Sequence, residues 1–337
     1  MGQSAFYVLD GLVLELDSEQ PRRDEVDRLL KELCWARLPS SARKPNLYFY
    51  VSSSNRPFRL PANCRELFRA DGFVGCEIAD EFYLTDASSV FHLRPTRREG
   101  YARLAPLFDG KPPLAQSNFW CFGLLKLLRP LGIYSLHAAA LATADGAGLL
   151  LVGAPGSGKS TLAIGLIRQG WKYLSDDAVL LRDASQGIAA LGCRRSFYID
   201  AVRSPDYSDL SLGNETPDSN GRRRRRVEIN KVFHEQYVPR CVPRILIFPR
   251  KIKSQDQSTL VPMDRVSALG VLLSQSAPQL FDRGTMAAHL ELLKRLLQQS
   301  EVYELDAGID LYRKPAKLIQ LIGEARGESH WPALSLS

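Results

Sequence analysis

Gly148-Leu149-Leu150-Leu151-Val152-Gly153-Ala154-Pro155-Gly156-Ser157-Gly158-Lys159-Ser160-Thr161-Leu162 is the stretch on which the reading of this chain turns. An uninterrupted Leu-Leu-Leu-Val run suits a strand buried on both faces. It feeds a match to Gly-x-x-x-x-Gly-Lys-Ser/Thr. Thr161 to Gln169 then spaces Leu162, Leu166 and Ile167 on one helical side before Gly170 stops the helix. Strand, glycine loop and helix give that pattern its physical meaning. The glycines leave backbone N–H groups bare, so that they turn inward around phosphate oxygens, and the helix N-terminus adds partial positive charge. In that arrangement Gly153 to Thr161 cradles the phosphates of ATP. Lys159 reaches the β- and γ-phosphates, and the Ser160 hydroxyl ligates Mg2+.

A phosphate loop leaves the reaction open. Downstream, a short strand at Trp171 to Leu174 runs into Ser175-Asp176-Asp177, followed by another strand at Ala178 to Leu181. A right-handed β-α-β unit brings those acids to the sheet end that carries the loop. One carboxylate is then able to hold the metal and the other to accept the proton of an incoming hydroxyl. The bland alternative is a solvated acidic turn. Upstream, Ser135 to Ala142 reads as a strand turning at Ala144-Asp145-Gly146. It carries His137, which by its apolar surroundings alone reads more readily as a core histidine than as a catalytic one.

The whole chain fits this centre. Its 337 residues, 45% hydrophobic, leave room for two folded units rather than a disordered polymer. A net charge of +7 suits an anionic ligand without choosing one. Cys34, Cys64, Cys76, Cys121, Cys193 and Cys241 are scattered, with no Cys-x-x-Cys pair and no histidine at a metal-ligand spacing, so they read as reduced thiols. Met1 to Asp17 lacks a basic stretch leading into an apolar core, and no signal peptide is expected. The longest apolar stretch, Phe119 to Leu128, falls far short of the roughly 20 residues that span a bilayer. A soluble, cytoplasmic protein with no membrane partner is the expectation.

The expected fold class is α/β: a phosphate-loop core over residues 116–325, preceded by a smaller α+β domain over 1–115 and followed by a flexible tail, 326–337. In the first part, strand-like runs occur at Phe6 to Leu16, Asn46 to Val51, Glu77 to Leu84 and Ser89 to Leu93, with one helix over Arg23 to Ala36. His92 stands alone and reads as structural. Lys111 to Ser117, with its paired prolines, reads as a linker, and Asn118 to Arg129 as an apolar helix able to pack one unit on the other. Past residue 205 a polar stretch and the run Arg222 to Arg226 read as a loop. A strand at Arg244 to Phe248 and a helix at Met286 to Gln299 follow.

Three blocks in order, Ser135-Leu136-His137-Ala138, the loop, and Gly170-Trp171-Lys172-Tyr173-Leu174-Ser175-Asp176-Asp177, resemble the HPr serine kinase/phosphorylase C-terminal domain. The resemblance covers residues 133–183 and extends weakly to 323. It implies a core of the HPr kinase and PEP carboxykinase-like type, with ATP and Mg2+. It implies further that Asp176 is the metal-side acid and Asp177 the base, or the reverse, with His137 assisting the base. The family's ring-forming habit implies a homo-oligomer. No Glu-x-Arg-Gly-x-Gly signature is present, so neither HPr as acceptor nor reverse phosphorolysis is implied. The chain is more similar to HPr-kinase-like proteins of peptide natural-product pathways, including kinases of the C-terminal serine of lasso-peptide precursors. The shared features are Ser135 to Ala140, Leu174 to Asp177, Arg225 to Glu228 and Pro243 to Phe248 with Pro249. That resemblance implies a serine-bearing peptide or protein as partner.

Arg222 to Arg226 has competing readings. Nucleic-acid binding is disfavoured, since no aromatic platform or recognition module accompanies the run. A solvated charge run remains open. In the favoured reading Arg224, Arg225 and Arg226, rigidified by a Val227-Glu228-Ile229 strand, contact phosphates or an acidic acceptor. Arg194 and Arg195 are weaker candidates, and Glu228 is a candidate for the missing family glutamate. Against the peptide kinase stand an HPr-type or free-serine kinase in the same fold, and an ATP-binding switch or assembly factor that transfers nothing.

Overall fold

The computed structural model describes residues 3–40, 44–56, 58–70, 72–217, 221–252, 255–276 and 282–327. The chain divides into two compact units, Met1–Ile133 with Asn214–Arg224, and Tyr134–Gly213 with Arg225–Ser337. The division lies later than the sequence-based boundary near residue 115. The expected tail beyond 327 lies outside the described residues.

In the first unit the elements run β1 (Gln3–Leu9), β2 (Leu12–Ser18), α1 (Gln20–Glu32), β3 (Ala36–Leu38), β4 (Leu47–Ser53), β5 (Arg65–Ala70), β6 (Phe73–Ile78), β7 (Glu81–Thr85), β8 (Val90–Arg94), β9 (Glu99–Leu104), α2 (Pro106–Asp109) and α3 (Pro113–Leu128). The strands form one sheet in the order β3-β1-β2-β4-β9-β8-β7-β6-β5. The run Phe6 to Leu16 is two strands, because Asp10 and Gly11 adopt positive φ and fold it into a hairpin. The paired prolines are no linker. Pro113 opens α3, where a proline's missing N–H costs nothing. Residues of α3 pack within this unit, Trp120 against Phe49 and Phe119 against Phe91. His92 stacks on Tyr83 and bonds Glu81, a structural role.

The second unit comprises β10 (Ile133–Leu136), β11 (Ala138–Ala142), β12 (Ala147–Val152), α4 (Lys159–Ile167), β13 (Lys172–Ser175), β14 (Val179–Ala184), β15 (Gly187–Gly192), β16 (Phe197–Asp200), β17 (Leu212–Pro217), β18 (Arg223–Val227), α5 (Ile229–Val232), β19 (Arg240–Lys251), β20 (Thr259–Pro262), α6 (Arg265–Ser274), α7 (Met286–Gln299), β21 (Glu301–Ala307), α8 (Ile309–Arg313) and α9 (Lys317–Arg326). β10 and the β17–β18 hairpin straddle the division between units. The main sheet runs β10-β14-β15-β19-β12-β11-β13, with β21 beside β19 and β20 beyond it. β19 pairs in parallel with both β12 and β21. Leu149 and Leu151 join α4 and α9 residues in one buried cluster, while Leu150 and Val152 join α6 and α7 residues in another. The apolar run of β12 is thus covered on both faces, each leucine contributing about 1.5–3 kcal/mol by burial. Among the described residues no helix is long and apolar enough to cross a membrane. Five of the six cysteines are buried, and none is in a disulfide.

Two further expectations change. Ser135 to Ala142 is broken at His137 into β10 and β11. The arginine run is a strand, since β18 pairs between β16 and β17, and Ile229 starts a short helix rather than extending a strand.

Candidate functional site

The site lies at the C-terminal ends of β12 and β13. Both strands pair antiparallel to β11 between them, so they point the same way, and α4 crosses from one to the other. This delivers the loop and the two aspartates to one end of the sheet. Gly156 and Gly158 take φ of 88° and 97°. A side chain at Gly158 would be strained there and would start 2.7 Å from the Tyr312 hydroxyl, so only glycine lets the loop close. No side chain caps α4, which leaves its first N–H groups for a ligand. Ala154, Pro155 and Gly156 form an exposed rim. Ser157, Ser160 and Thr161 are half-buried, and Lys159 is buried.

Lys159 turns back into the loop. Its ammonium donates to the carbonyls of Gly153 (2.7 Å) and Ala154 (3.2 Å) and lies 2.9 Å from His137 Nε2. A lysine has no acceptor to offer, so His137 Nε2 accepts and the ring proton sits on Nδ1. Nδ1 faces Asp177 twice, at 2.9 Å from its carbonyl and 3.1 Å from its carboxylate. Burial, aided by the Lys159 charge and opposed by Asp177, holds the imidazole below its ordinary pKa, which favours this neutral form. The break in the strand explains the ring's position. The His137 N–H leaves the sheet and donates to the Gln275 carbonyl at the end of α6 (2.7 Å).

The two aspartates have opposite surroundings. Asp176 is fully buried, and its Oδ2 accepts from Ser160 Oγ at 2.7 Å. Burial, then the neighbouring Asp177 charge, pushes its carboxyl up to about 7, against the bond from Ser160. Its Oδ1 is buried without a hydrogen-bond partner. A carboxylate oxygen orphaned beside a serine hydroxyl is a donor set that fits a hard divalent cation, with phosphate and water oxygens completing the shell. Asp177 is half-exposed, in the left-handed region at φ 67°, a conformation that costs about 1 kcal/mol. Its other oxygen lies 3.6 Å from the buried Arg194 guanidinium.

Ser175 holds this strained turn. Its hydroxyl lies 2.5 Å from the Ala178 carbonyl and 2.8 Å from that of Arg194, and it accepts from the N–H groups of Cys193 (3.1 Å) and Arg194 (2.9 Å). One side chain thereby ties the aspartate turn to the segment that presents Arg194.

No protein-family model matches the chain, and no curated protein matches it. A solved structure does. The chain is similar to the Hpr(Ser) kinase/phosphatase from Coxiella burnetii, at 15% identity and a TM-score of 0.33, covering 57% of this chain and 90% of that one.

The hydrogen bonds and ion pairs of this chain bring together Gly153 to Thr161, His137, Asp176 and Asp177. The arginine candidates are dispersed. Arg226 Nε donates to Ser196 Oγ (2.6 Å), close in sequence to Arg194, and Arg225 is its half-buried neighbour in β18, whereas Arg224 groups with the first unit. Glu228 is paired with Lys231 and Ser211 instead of standing in for a metal-side glutamate. Ser175, Gln275 and Tyr312 escaped sequence reasoning. Only Ser175 lay within a quoted motif, and no role was read for its hydroxyl.

Proposed function

We propose that this protein is an ATP-dependent kinase that transfers the γ-phosphoryl group to a hydroxyl, the acceptor being a serine of a peptide or protein. The observation that carries the proposal is the division of labour between adjacent aspartates: Asp176 buried against Ser160 Oγ, and Asp177 exposed toward solvent but braced by His137 and Arg194. MgATP, when bound, supplies the transferable group and a cation that neutralises its charge.

The protein's own residues do the rest. Ser160 and Asp176 would hold the metal. Lys159 exchanges a loop carbonyl for phosphate oxygens as these arrive. Asp177 takes the proton of the incoming hydroxyl as its oxygen bonds to phosphorus and the bond to the leaving ADP breaks. His137, donating from Nδ1, keeps the Asp177 carboxylate aimed and ionised. The rest of the barrier falls to positioning. The lasso-peptide precursor class is the finer form of the acceptor, supported by the sequence resemblance alone.

Incubation with γ-labelled ATP and peptides ending in or containing serine tests the proposal. Label on peptide serine is expected, and replacing that serine by alanine abolishes it. Label on free serine but on no peptide would move the activity to a small-molecule kinase. ATP binding without label on any hydroxyl would leave a nucleotide-dependent switch.

A further inference from the structure

The first unit carries a sheet face that its helices leave open. Along β2, β4 and β9 the residues that alternate with buried Leu47, Phe49 and Val51 and their neighbours are Glu15 and Asp17, Tyr48 and Tyr50, and Glu99 and Tyr101. The register sets them in rows. Glu15 stands opposite Tyr48, and Tyr48 opposite Glu99. Asp17 stands opposite Tyr50, Tyr50 opposite Tyr101, Tyr101 opposite His92, and His92 opposite Tyr83. Tyr83 is buried and stacks against Phe58, so the open part of the second row, Asp17, Tyr50 and Tyr101, crosses three strands at about 4.8 Å spacing and is roughly 10 Å long. The three tyrosines, each 39–40% exposed, line a depression of about 250 Å³ together with the three acids.

Chemistry narrows what fits there. Exposed tyrosine rings attract cations to their faces, and one cation already uses the row: the Arg94 guanidinium lies 5.6 Å from the Tyr101 centroid and 3.9 Å from Glu99. Glu15 and Asp17 have no ion-pair partner among the described residues, and Asp17 Oδ1 is screened from solvent without a hydrogen bond. Acids without ion-pair partners set between exposed aromatic rings make this face complementary in charge to a basic partner. A small cation pairs with one of Glu15 and Asp17. A polypeptide segment carrying two basic side chains pairs with both.

We propose that this face docks a basic polypeptide segment, with a Lys or Arg head group over Tyr48, Tyr50 and Tyr101 and paired with Glu15 and Asp17. The docking stands on the first unit alone and is independent of phosphoryl transfer.

The test uses the full chain and fluorescein-labelled Gly/Ser nonapeptides carrying two arginines, two lysines, two glutamates or two norleucines, titrated by anisotropy. The arginine and lysine peptides are expected to bind at least about tenfold more tightly than the others, and less tightly as salt rises. Glu15→Gln with Asp17→Asn should weaken that binding about tenfold. Tyr50→Leu, which changes no charge and keeps a strand-compatible side chain, should weaken it about fivefold, with an unchanged melting curve as the fold control. Equal binding of all four peptides, or basic peptides bound unchanged by either variant, would overturn the proposal. So would tetramethylammonium displacing them as effectively as an unlabelled arginine peptide, which would make the face a small-cation site.

Discussion

The phosphate loop of the second unit and the tyrosine face of the first are built on opposite plans. At the loop, charge meets charge inside the protein before any ligand arrives: Lys159 is held by two carbonyls and His137, and Asp177 by His137 and Arg194. On the face, Glu15 and Asp17 point outward, half-exposed, between rings that touch solvent. A preorganised site concentrates its cost in a few positions where backbone and side chain have one arrangement. An open face spreads its interactions over residues that tolerate change. The first is expected to break under single substitutions, and the second to keep its stability and lose only affinity.

The largest effect is expected at Gly158. Gly158→Val puts a β-branched side chain at φ 97° and against the Tyr312 hydroxyl, so ATP affinity measured by titration calorimetry should fall at least about 100-fold. Affinity within a few fold of the parent would show that the loop conformation is not imposed by that position. Next comes Ser175→Ala. It strips the N–H groups of Cys193 and Arg194 of their acceptor in a buried place, and denaturant unfolding should show a loss of about 2–4 kcal/mol. A loss below about 1 kcal/mol would mean that the aspartate turn is held by other contacts.

These two positions also mark how far the sequence reached. The strand, the loop, the helix and Asp176-Asp177 were legible because each is local, a period or a spacing within thirty residues, and β-α-β handedness then folds them to one end. Tyr312 and Gln275 were not legible, because their role depends on which distant helix end packs against the loop and against His137. Arg222 to Arg226 misled for the opposite reason. A polar, basic stretch reads as a loop whose arginines act together, yet pairing with β16 and β17 makes it a strand and sends its side chains to different neighbours. The prolines of residues 112 and 113 read as a break, when one of them is a helix start. The tyrosine face appears only once the register is known: Glu15, Tyr48 and Glu99 are far apart in the chain, and each alone is an ordinary strand residue.

A third effect separates the aspartates. An unfolded aspartate titrates near its ordinary value of about 3.9, while burial holds Asp176 at about 7 in the folded protein. The folded state therefore keeps a proton that the unfolded state releases. Asp176 contributes stability fully present below the ordinary value, and that contribution is lost as pH rises to about 7. Above that, a buried anion awaits a cation. The rise in melting temperature on adding Mg2+ should be larger at pH 8 than at pH 5.5, and Asp176→Asn should flatten that difference. An equal rise at both values would place the metal elsewhere.

The smallest effect belongs to the face. Tyr101→Ser should change stability by less than about 1 kcal/mol. A loss matching that of Ser175→Ala would erase the contrast between the two regions.

The contrast itself rests on Asp177 acting on the acceptor while the loop binds the nucleotide. The direct measurement follows label from ATP to a serine peptide and, in the same preparations, the ATP dissociation constant, for the parent and for Asp177→Asn. Transfer should fall by at least about 100-fold with ATP affinity within about threefold of the parent. Undiminished transfer by Asp177→Asn, or transfer and ATP binding lost together, would contradict it.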